Sequence, residues 1–202
     1  MAKPANRKAE EAQGLARIET EARLANNAGA APVEKWNPPF CGDLDMRIAA
    51  DGTWYYLGTP IGRKRLVKLF ASVLRHDADG KYFLVTPVEK VGIKVDDAPF
   101  LAVEMTVDNP GPDQVLIFRT NVDDEVSVDE AHPLRFAVEE GTGGLKPYVH
   151  VRGRLEALVA RAVYYDLVAL GETEMVEDTA SFGVRSGGKF YPMAPVAALA
   201  EA

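Results

Sequence analysis

The stretch 41–76 constrains the fold more than any other, because strand, turn and helix patterns follow one another within it. Its first residues alternate between charged and apolar types, and the apolar ones are Leu44, Met46 and Ile48. A period of two is typical of a half-buried strand. Asp51 and Gly52 then favour a tight turn, so the strand is expected to return as a hairpin through Trp54, Tyr55 and Leu57.

A long helix is predicted directly after this hairpin. Thr59 has the character of an N-cap, and Pro60 that of a first helical residue, where the missing N–H costs nothing. Apolar residues then recur at helical spacing, at Leu66, Leu69, Phe70, Val73 and Leu74. The first structural element is therefore a hairpin followed by a helix.

Short apolar runs bounded by turn residues predict strands along most of the remaining chain. They lie at 81–87, 92–108 (two runs), 115–121, 134–140, 147–153 and in a final hairpin at 179–193. A second long helix is predicted from the apolar spacing between Leu155 and Val163, ending at Gly171 in a left-handed cap. The predicted fold class is α+β, with mostly antiparallel sheets and two long helices.

Two similar segments indicate an internal duplication. GKYFLVTP at 80–87 and GKFYPMAP at 188–195 share a glycine, a lysine, two aromatic residues and a proline, and each follows a strand and a helix. A chance match between short segments is the alternative. The predicted organisation is a helical N-terminal extension and linker over 1–38, an N-terminal α+β domain over 39–96 and a related C-terminal domain over 97–202.

Composition narrows the range of possible functions. The net charge of −7 and the isoelectric point near 5.1 argue against nucleic-acid binding, which needs a basic surface. Cys41 is the single cysteine, so an intrachain disulfide is excluded, and it is expected to be a small buried apolar group. No signal peptide and no apolar run of membrane-spanning length is visible, so a cytoplasmic protein that binds no membrane is predicted.

Six stretches resemble, in order, a bacterial family known as domain of unknown function 1285. They are 40–70, 82–100, 118–126, 132–135, 147–168 and 183–193, and the resemblance covers 39–193. It implies two domains that arose by duplication, of which the C-terminal one is similar to pleckstrin-homology folds. It also implies a pocket between the domains, a nucleotide-like ligand and a role in signal transduction.

The candidate ligand-binding residues are polar groups that the predicted strands and the predicted helix start bring together. Arginine offers a bidentate fork to phosphate or carboxylate, helix N-termini attract anions, and aromatic rings stack on bases. The predicted set is Arg47, Trp54, Tyr55, Arg63, Arg65, Arg119, Asn121, Tyr148, His150 and Arg152.

Each group in this set has an ordinary structural alternative. Tyr148, His150 and Arg152 share one face of a predicted strand, which fits a solvent-exposed sheet face equally well. Arg119 is explained equally well by an ion pair with Asp45 or Glu104, and the aromatic residues by packing in a core.

The favoured function is a non-enzymatic regulatory protein that binds a nucleotide-like small anion between its two halves. One alternative is a metal-assisted phosphoester or nucleotide hydrolase using Asp43, Asp45 and His150. Another is a protein-interaction module or homodimer. No catalytic motif and no metal-ligand spacing is present in the sequence, and the cofactor is left open.

Overall fold

The computed structural model describes residues 4–26, 31–139 and 141–199. The chain divides into two compact units, unit 1 (Met1–Asp97) and unit 2 (Ala98–Ala202). Among the described residues there is a 3-10 turn at Val33–Lys35, and there are four α-helices: α1 (Pro4–Asn26), α2 (Lys64–Ser72), α3 (Arg161–Ala169) and α4 (Val196–Leu199).

Unit 1 is built on one six-stranded sheet. Its strands are β1 (Phe40–Ile48), β2 (Trp54–Tyr56), β3 (Thr59–Pro60), β4 (Leu74–His76), β5 (Tyr82–Val85) and β6 (Lys90–Val95). The strand order is β3-β2-β1-β6-β5-β4. β1 and β6 are parallel, whereas the other neighbours are antiparallel.

Unit 2 contains a six-stranded and a three-stranded sheet. Its strands are β7 (Phe100–Asp108), β8 (Val115–Thr120), β9 (Glu125–Ser127), β10 (Leu134–Val138), β11 (Leu145–Arg152), β12 (Leu155–Val159), β13 (Glu172–Val176), β14 (Thr179–Ser186) and β15 (Lys189–Pro195). The larger sheet has the order β10-β11-β12-β7-β8-β9, and β13-β14-β15 form the smaller one. β9 and β13 were not predicted from the sequence.

The two six-stranded sheets share one connectivity. Each joins two three-stranded meanders through a parallel pair formed by its first and last strands, β1 with β6 and β7 with β12. Such a match is expected if one sheet is a copy of the other. The two similar eight-residue segments do not mark equivalent positions, however, because one contains β5 of a six-stranded sheet and the other contains β15 of the three-stranded sheet.

The mostly antiparallel α+β class is therefore observed, but the two predicted long helices are not. α2 and α3 have nine residues each. Unit 2 is not confirmed as a pleckstrin-homology-like fold.

The predicted start of the first helix is wrong. Thr59 and Pro60 form β3 at the edge of the sheet, after a tight turn in which Leu57 and Gly58 have φ angles of 50° and 71°. Proline is tolerated in an edge strand because its missing N–H can face the side on which no further strand pairs. α2 begins only at Lys64, and its N-cap residue Arg63 makes no capping hydrogen bond with its side chain.

The predicted second helix also begins too early. Residues 155–159 form β12, whose partner β7 lies far back along the chain. Gly171 does not adopt the predicted left-handed conformation. It follows α3 at a point where a Cβ would collide with the ring of Phe182. Glycine is needed there for close packing and not for a positive φ.

We therefore expect Gly171→Ala to destabilise unit 2 by about 1–3 kcal/mol, the usual cost of overpacking. Thermal unfolding followed by far-UV circular dichroism would measure this loss. Adding Phe182→Leu should recover part of it by making room for the new methyl group. If Gly171→Ala unfolds like the wild type, the close approach of Phe182 does not constrain this position.

One face of the unit 1 sheet is covered by both helices of the unit. Trp54 of β2 stacks on Phe70 of α2, with ring centroids 6.4 Å apart. Helix α1 packs against α2 and buries Ile18 and Ala22, so it is docked on its own unit. Arg17 of α1 adds an ion pair of 2.5 Å to the buried side chain of Glu89.

Candidate functional site

Polar residues of β1 and β6 lie on the face of the unit 1 sheet opposite α2, because successive side chains of a strand point to opposite faces. Asp43 of β1 lies beside Gly92 of β6, and Arg47 lies beside Lys94. Two adjoining hollows of about 340 Å³ each lie here and share Asp43, Lys81 and Phe83. We call them together the lysine cleft, defined by Phe40, Asp43, Lys81, Phe83, Lys90 and Lys94.

Two aromatic rings give the lysine cleft an apolar surface. Phe83 is buried, whereas Phe40 is 55% exposed, and their rings meet edge to face with centroids 6.1 Å apart. The Nζ atom of Lys90 lies 4.4 Å from the centre of the Phe83 ring. An exposed phenylalanine beside a cation is a surface on which a flat ring can stack.

The three lysines differ in how strongly they are held. Lys90 is mostly buried and lies 3.3 Å from Asp77. Lys81 is 73% exposed, and its Nζ atom forms a long ion pair of 3.7 Å with Asp79, whose side chain is also largely exposed. Lys94 is exposed and has no acidic partner within the described part of the chain. Since exposed ion pairs contribute little, Lys81 and Lys94 can both turn towards an anion at small cost.

Asp43 brings a carboxylate into the same cleft. Its Oδ1 atom occupies the place that a Cβ on Gly92 would take, and the Phe40 ring lies 3.8 Å from that place. Glycine inside a strand often marks such a close approach. Asp43 is exposed and forms no ion pair or hydrogen bond with any other described residue.

Of the residues predicted from the sequence, Arg47 and Tyr55 lie next to the lysine cleft. Arg47 donates to Asp96, which lines one hollow, over 2.6 Å. Its guanidinium carbon lies 4.8 Å from the centre of the Tyr55 ring. Both contacts hold Arg47 against the sheet.

Trp54, Arg63 and Arg65 belong to other parts of unit 1. The Trp54 ring is 1% exposed and packs in the core, so the prediction that it stacks on a ligand is wrong. Arg63 and Arg65 are exposed at the start of α2, and Arg63 lies 3.9 Å from Glu19.

In unit 2, three predicted residues meet around the turn 121–124. Arg119 forms ion pairs with Glu104 and with Asp123, as one structural alternative anticipated. The hydrogen bond and charge of Glu104 raise the pKa of Arg119. The side-chain oxygen of Asn121 accepts a hydrogen bond from the Leu101 amide over 3.1 Å.

Arg152 completes this group, because it pairs with Asp124 over 2.5 Å. Its guanidinium carbon also lies 5.1 Å from the centre of the Phe100 ring. The arginines predicted to hold an anion in this unit are thus neutralised by neighbouring carboxylates.

Tyr148 and His150 do not form an open face of β11. Tyr148 is buried beneath Arg135, whose guanidinium carbon lies 4.1 Å from the ring centre. His150 is half-buried and stacks on His132, and its Nε2 atom lies 2.8 Å from the Gly153 carbonyl oxygen. Both ring positions are explained by packing within the unit.

The lysines and phenylalanines of the cleft were not predicted from the sequence as ligand-binding residues. The alternation of Lys90, Gly92 and Lys94 was a visible signal for a charged strand face. Cys41, the second residue of β1, is exposed and not buried as expected.

Within the described residues, no group of three or more histidine, cysteine, aspartate or glutamate side chains is placed to hold a metal ion. Among the same residues, no helix is both long enough and apolar enough to cross a bilayer.

Two family models match this chain. One, described as the N-terminal domain of unknown function DUF1285, matches residues 31–98, and the other, the DUF1285 C-terminal domain, matches residues 99–193. The chain belongs to the DUF1285 family. The lysine cleft lies in the N-terminal domain of the family, and the boundary between the two family domains coincides within one residue with that between the two units.

Two crystal structures of DUF1285 proteins are similar to this chain. A protein from Silicibacter pomeroyi DSS-3 is 50% identical, with a TM-score of 0.82, over 91% of this chain and 97% of that one. A protein from Shewanella baltica OS155 is 33% identical, with a TM-score of 0.50, over 62% of this chain and 91% of that one. No protein of curated function matches.

Proposed function

We propose that this DUF1285 protein is a non-enzymatic binding protein whose lysine cleft takes a small anionic ligand with a flat ring, such as a nucleotide. The observation that carries the proposal is the arrangement of three lysines around the Phe40–Phe83 pair. Lysine ammonium groups bind phosphate as point charges, while an aromatic face supplies stacking.

The dimensions of the cleft support a ligand of this class. Small-molecule sites have volumes of roughly 300–1,000 Å³, and each hollow has about 340 Å³. Lys81 borders both hollows, so one ligand spanning them would meet an ammonium group at either end, Lys90 in one hollow and Lys94 in the other.

The regulatory part of the proposal rests on the family resemblance. A protein that binds a nucleotide-like molecule without converting it can pass the binding event to a partner, and this is the role in signal transduction that we propose.

Calorimetric titration with nucleoside mono-, di- and triphosphates tests the proposal. We expect saturable binding, and we expect Lys81→Ala/Lys94→Ala to weaken it by about a hundredfold or more, because each of the two lost hydrogen bonds to a charged group contributes about 1.5–3 kcal/mol.

The matched control is Lys35→Ala/Lys64→Ala, which removes the same charge from exposed positions outside the cleft. It should bind like the wild type. A wild type that binds no nucleotide, or equal losses in both double variants, would refute the proposed site.

A further inference from the structure

Among the described residues, Asp43 is the one carboxylate that borders both hollows of the lysine cleft. We propose that it is a specificity-determining residue, which rejects simple anions and admits an anionic ligand only if that ligand also carries a hydroxyl or amine donor. This inference rests on the proposed function and adds the chemistry that the ligand must have.

The position of the carboxylate is built into the sheet. A register irregularity in β1 lies on each side of Asp43, at the point where it faces Gly92 of β6. Because Gly92 has no side chain, the carboxylate lies directly over the strand and enters the space between Lys90 and Lys94. Any other residue at position 92 would push it aside.

The charge of this carboxylate decides what can bind beside it. None of the lysines of the cleft forms an ion pair with Asp43 among the described residues, so its charge is not cancelled locally. A phosphate that approaches the lysines also approaches this carboxylate, and like charges at that range repel. A polyanion without donor groups is therefore attracted by the lysines but repelled by the Asp43 carboxylate.

A ligand with a donor next to its anionic group avoids this conflict. An ionised carboxylate only accepts hydrogen bonds, so the hydroxyl groups of a sugar or an amine satisfy it. Hydrogen bonds with an ionised acceptor are stronger than neutral ones. Asp43 thus favours sugar phosphates and related molecules over phosphate or pyrophosphate.

Calorimetric titration with two probes, ribose 5-phosphate and pyrophosphate, tests this inference on the full chain. Asp43→Asn should weaken the binding of ribose 5-phosphate by about tenfold and strengthen the binding of pyrophosphate by about tenfold. Such changes are typical of gaining or losing one charged contact. Gly92→Ala, which displaces the carboxylate without removing its charge, should shift the ratio of the two affinities in the same direction.

The control is Asp45→Asn, which removes one charge from an exposed residue of β1 that does not line the cleft. Its affinity ratio should equal that of the wild type. If the wild type binds ribose 5-phosphate and Asp43→Asn leaves the ratio unchanged, the inference fails while the binding site stands. A wild type that binds neither probe overturns both.

Discussion

Replacing Arg75 by methionine is expected to lower the free energy of unfolding of unit 1 by about 3 kcal/mol, as for other broken buried ion pairs. The Arg75 side chain is 8% exposed. It donates to the carbonyl oxygens of Val33 and Trp36 over 2.9 and 2.8 Å, and to Asp77 over 2.6 Å. Methionine keeps the apolar stem but leaves these acceptors without their donor, and the segment 33–36 loses its attachment to β4.

Tryptophan fluorescence during urea unfolding measures this loss selectively. The chain has two tryptophans, Trp36 and Trp54, and both lie in unit 1. Arg47→Met is the matched control, since its ion pair with Asp96 is largely exposed and should contribute less than about 1 kcal/mol. Equal losses in the two variants would contradict a special role for Arg75.

The effect of Arg75→Met should also depend on pH. Burial raises the pKa of Asp77, but the hydrogen bonds and charges of Arg75 and Lys90 outweigh it and hold that pKa below its ordinary value. A carboxyl with a lowered pKa in the folded state stabilises the fold above its unfolded pKa of about 3.9 and loses this contribution as the pH falls.

The difference in stability between wild type and Arg75→Met should therefore shrink as the pH falls from about 5 through the lowered pKa of Asp77. Urea unfolding at several pH values in that range would show it. A constant difference would mean that the carbonyl contacts of Arg75, and not its pairing with Asp77, account for the whole loss.

Local patterns predicted those elements that neighbouring residues alone determine. The alternation in β1 and the Asp51-Gly52 turn depend on a few adjacent residues, and both are present as expected. The alternative for Arg119 was also correct, because Glu104 and Arg119 occupy opposite positions on the antiparallel strands β7 and β8.

The errors arose where strand pairing, and not the local spacing of apolar residues, decides the structure. The run from Leu155 to Val159 is apolar enough for either a helix or a strand, and its pairing with β11 on one side and with the distant β7 on the other selects the strand. Thr59 and Pro60 carry a helix-start pattern, but the tight turn at Leu57 and Gly58 brings them back beside the preceding strand β2, which places them in the sheet.

The lysine cleft depends on the same kind of distant pairing. Lys90 and Lys94 share a strand face that the sequence reveals, whereas their position beside Asp43 and Phe40 follows from the parallel contact between β1 and β6. No local pattern specifies that contact. The chemistry of arginine alone predicts anion binding at Arg119 and Arg152, whereas the carboxylates that neutralise them are brought there by the fold.

Trp54→Ala is expected to destabilise unit 1 by about 3–5 kcal/mol, because it empties a fully buried ring position against Phe70. Trp54→Phe should cost only about 1 kcal/mol. The Nε1 atom of Trp54 is buried and has no hydrogen-bond partner in the described part of the structure. The change to phenylalanine therefore reduces the buried volume without removing a hydrogen bond. Urea unfolding followed by circular dichroism and by the remaining Trp36 would measure both changes.

The same pair of variants separates a core residue from a ligand platform. If Trp54 belongs to the core, Trp54→Phe should bind nucleotide or ribose 5-phosphate as the wild type does, since the ring lies on the α2 side of the sheet and the lysine cleft on the other. A large loss of ligand affinity in this well-folded variant would mean that the Trp54 side chain belongs to the binding site. A loss of stability in Trp54→Phe as large as in Trp54→Ala would mean that the indole N–H makes a contact on which the fold depends.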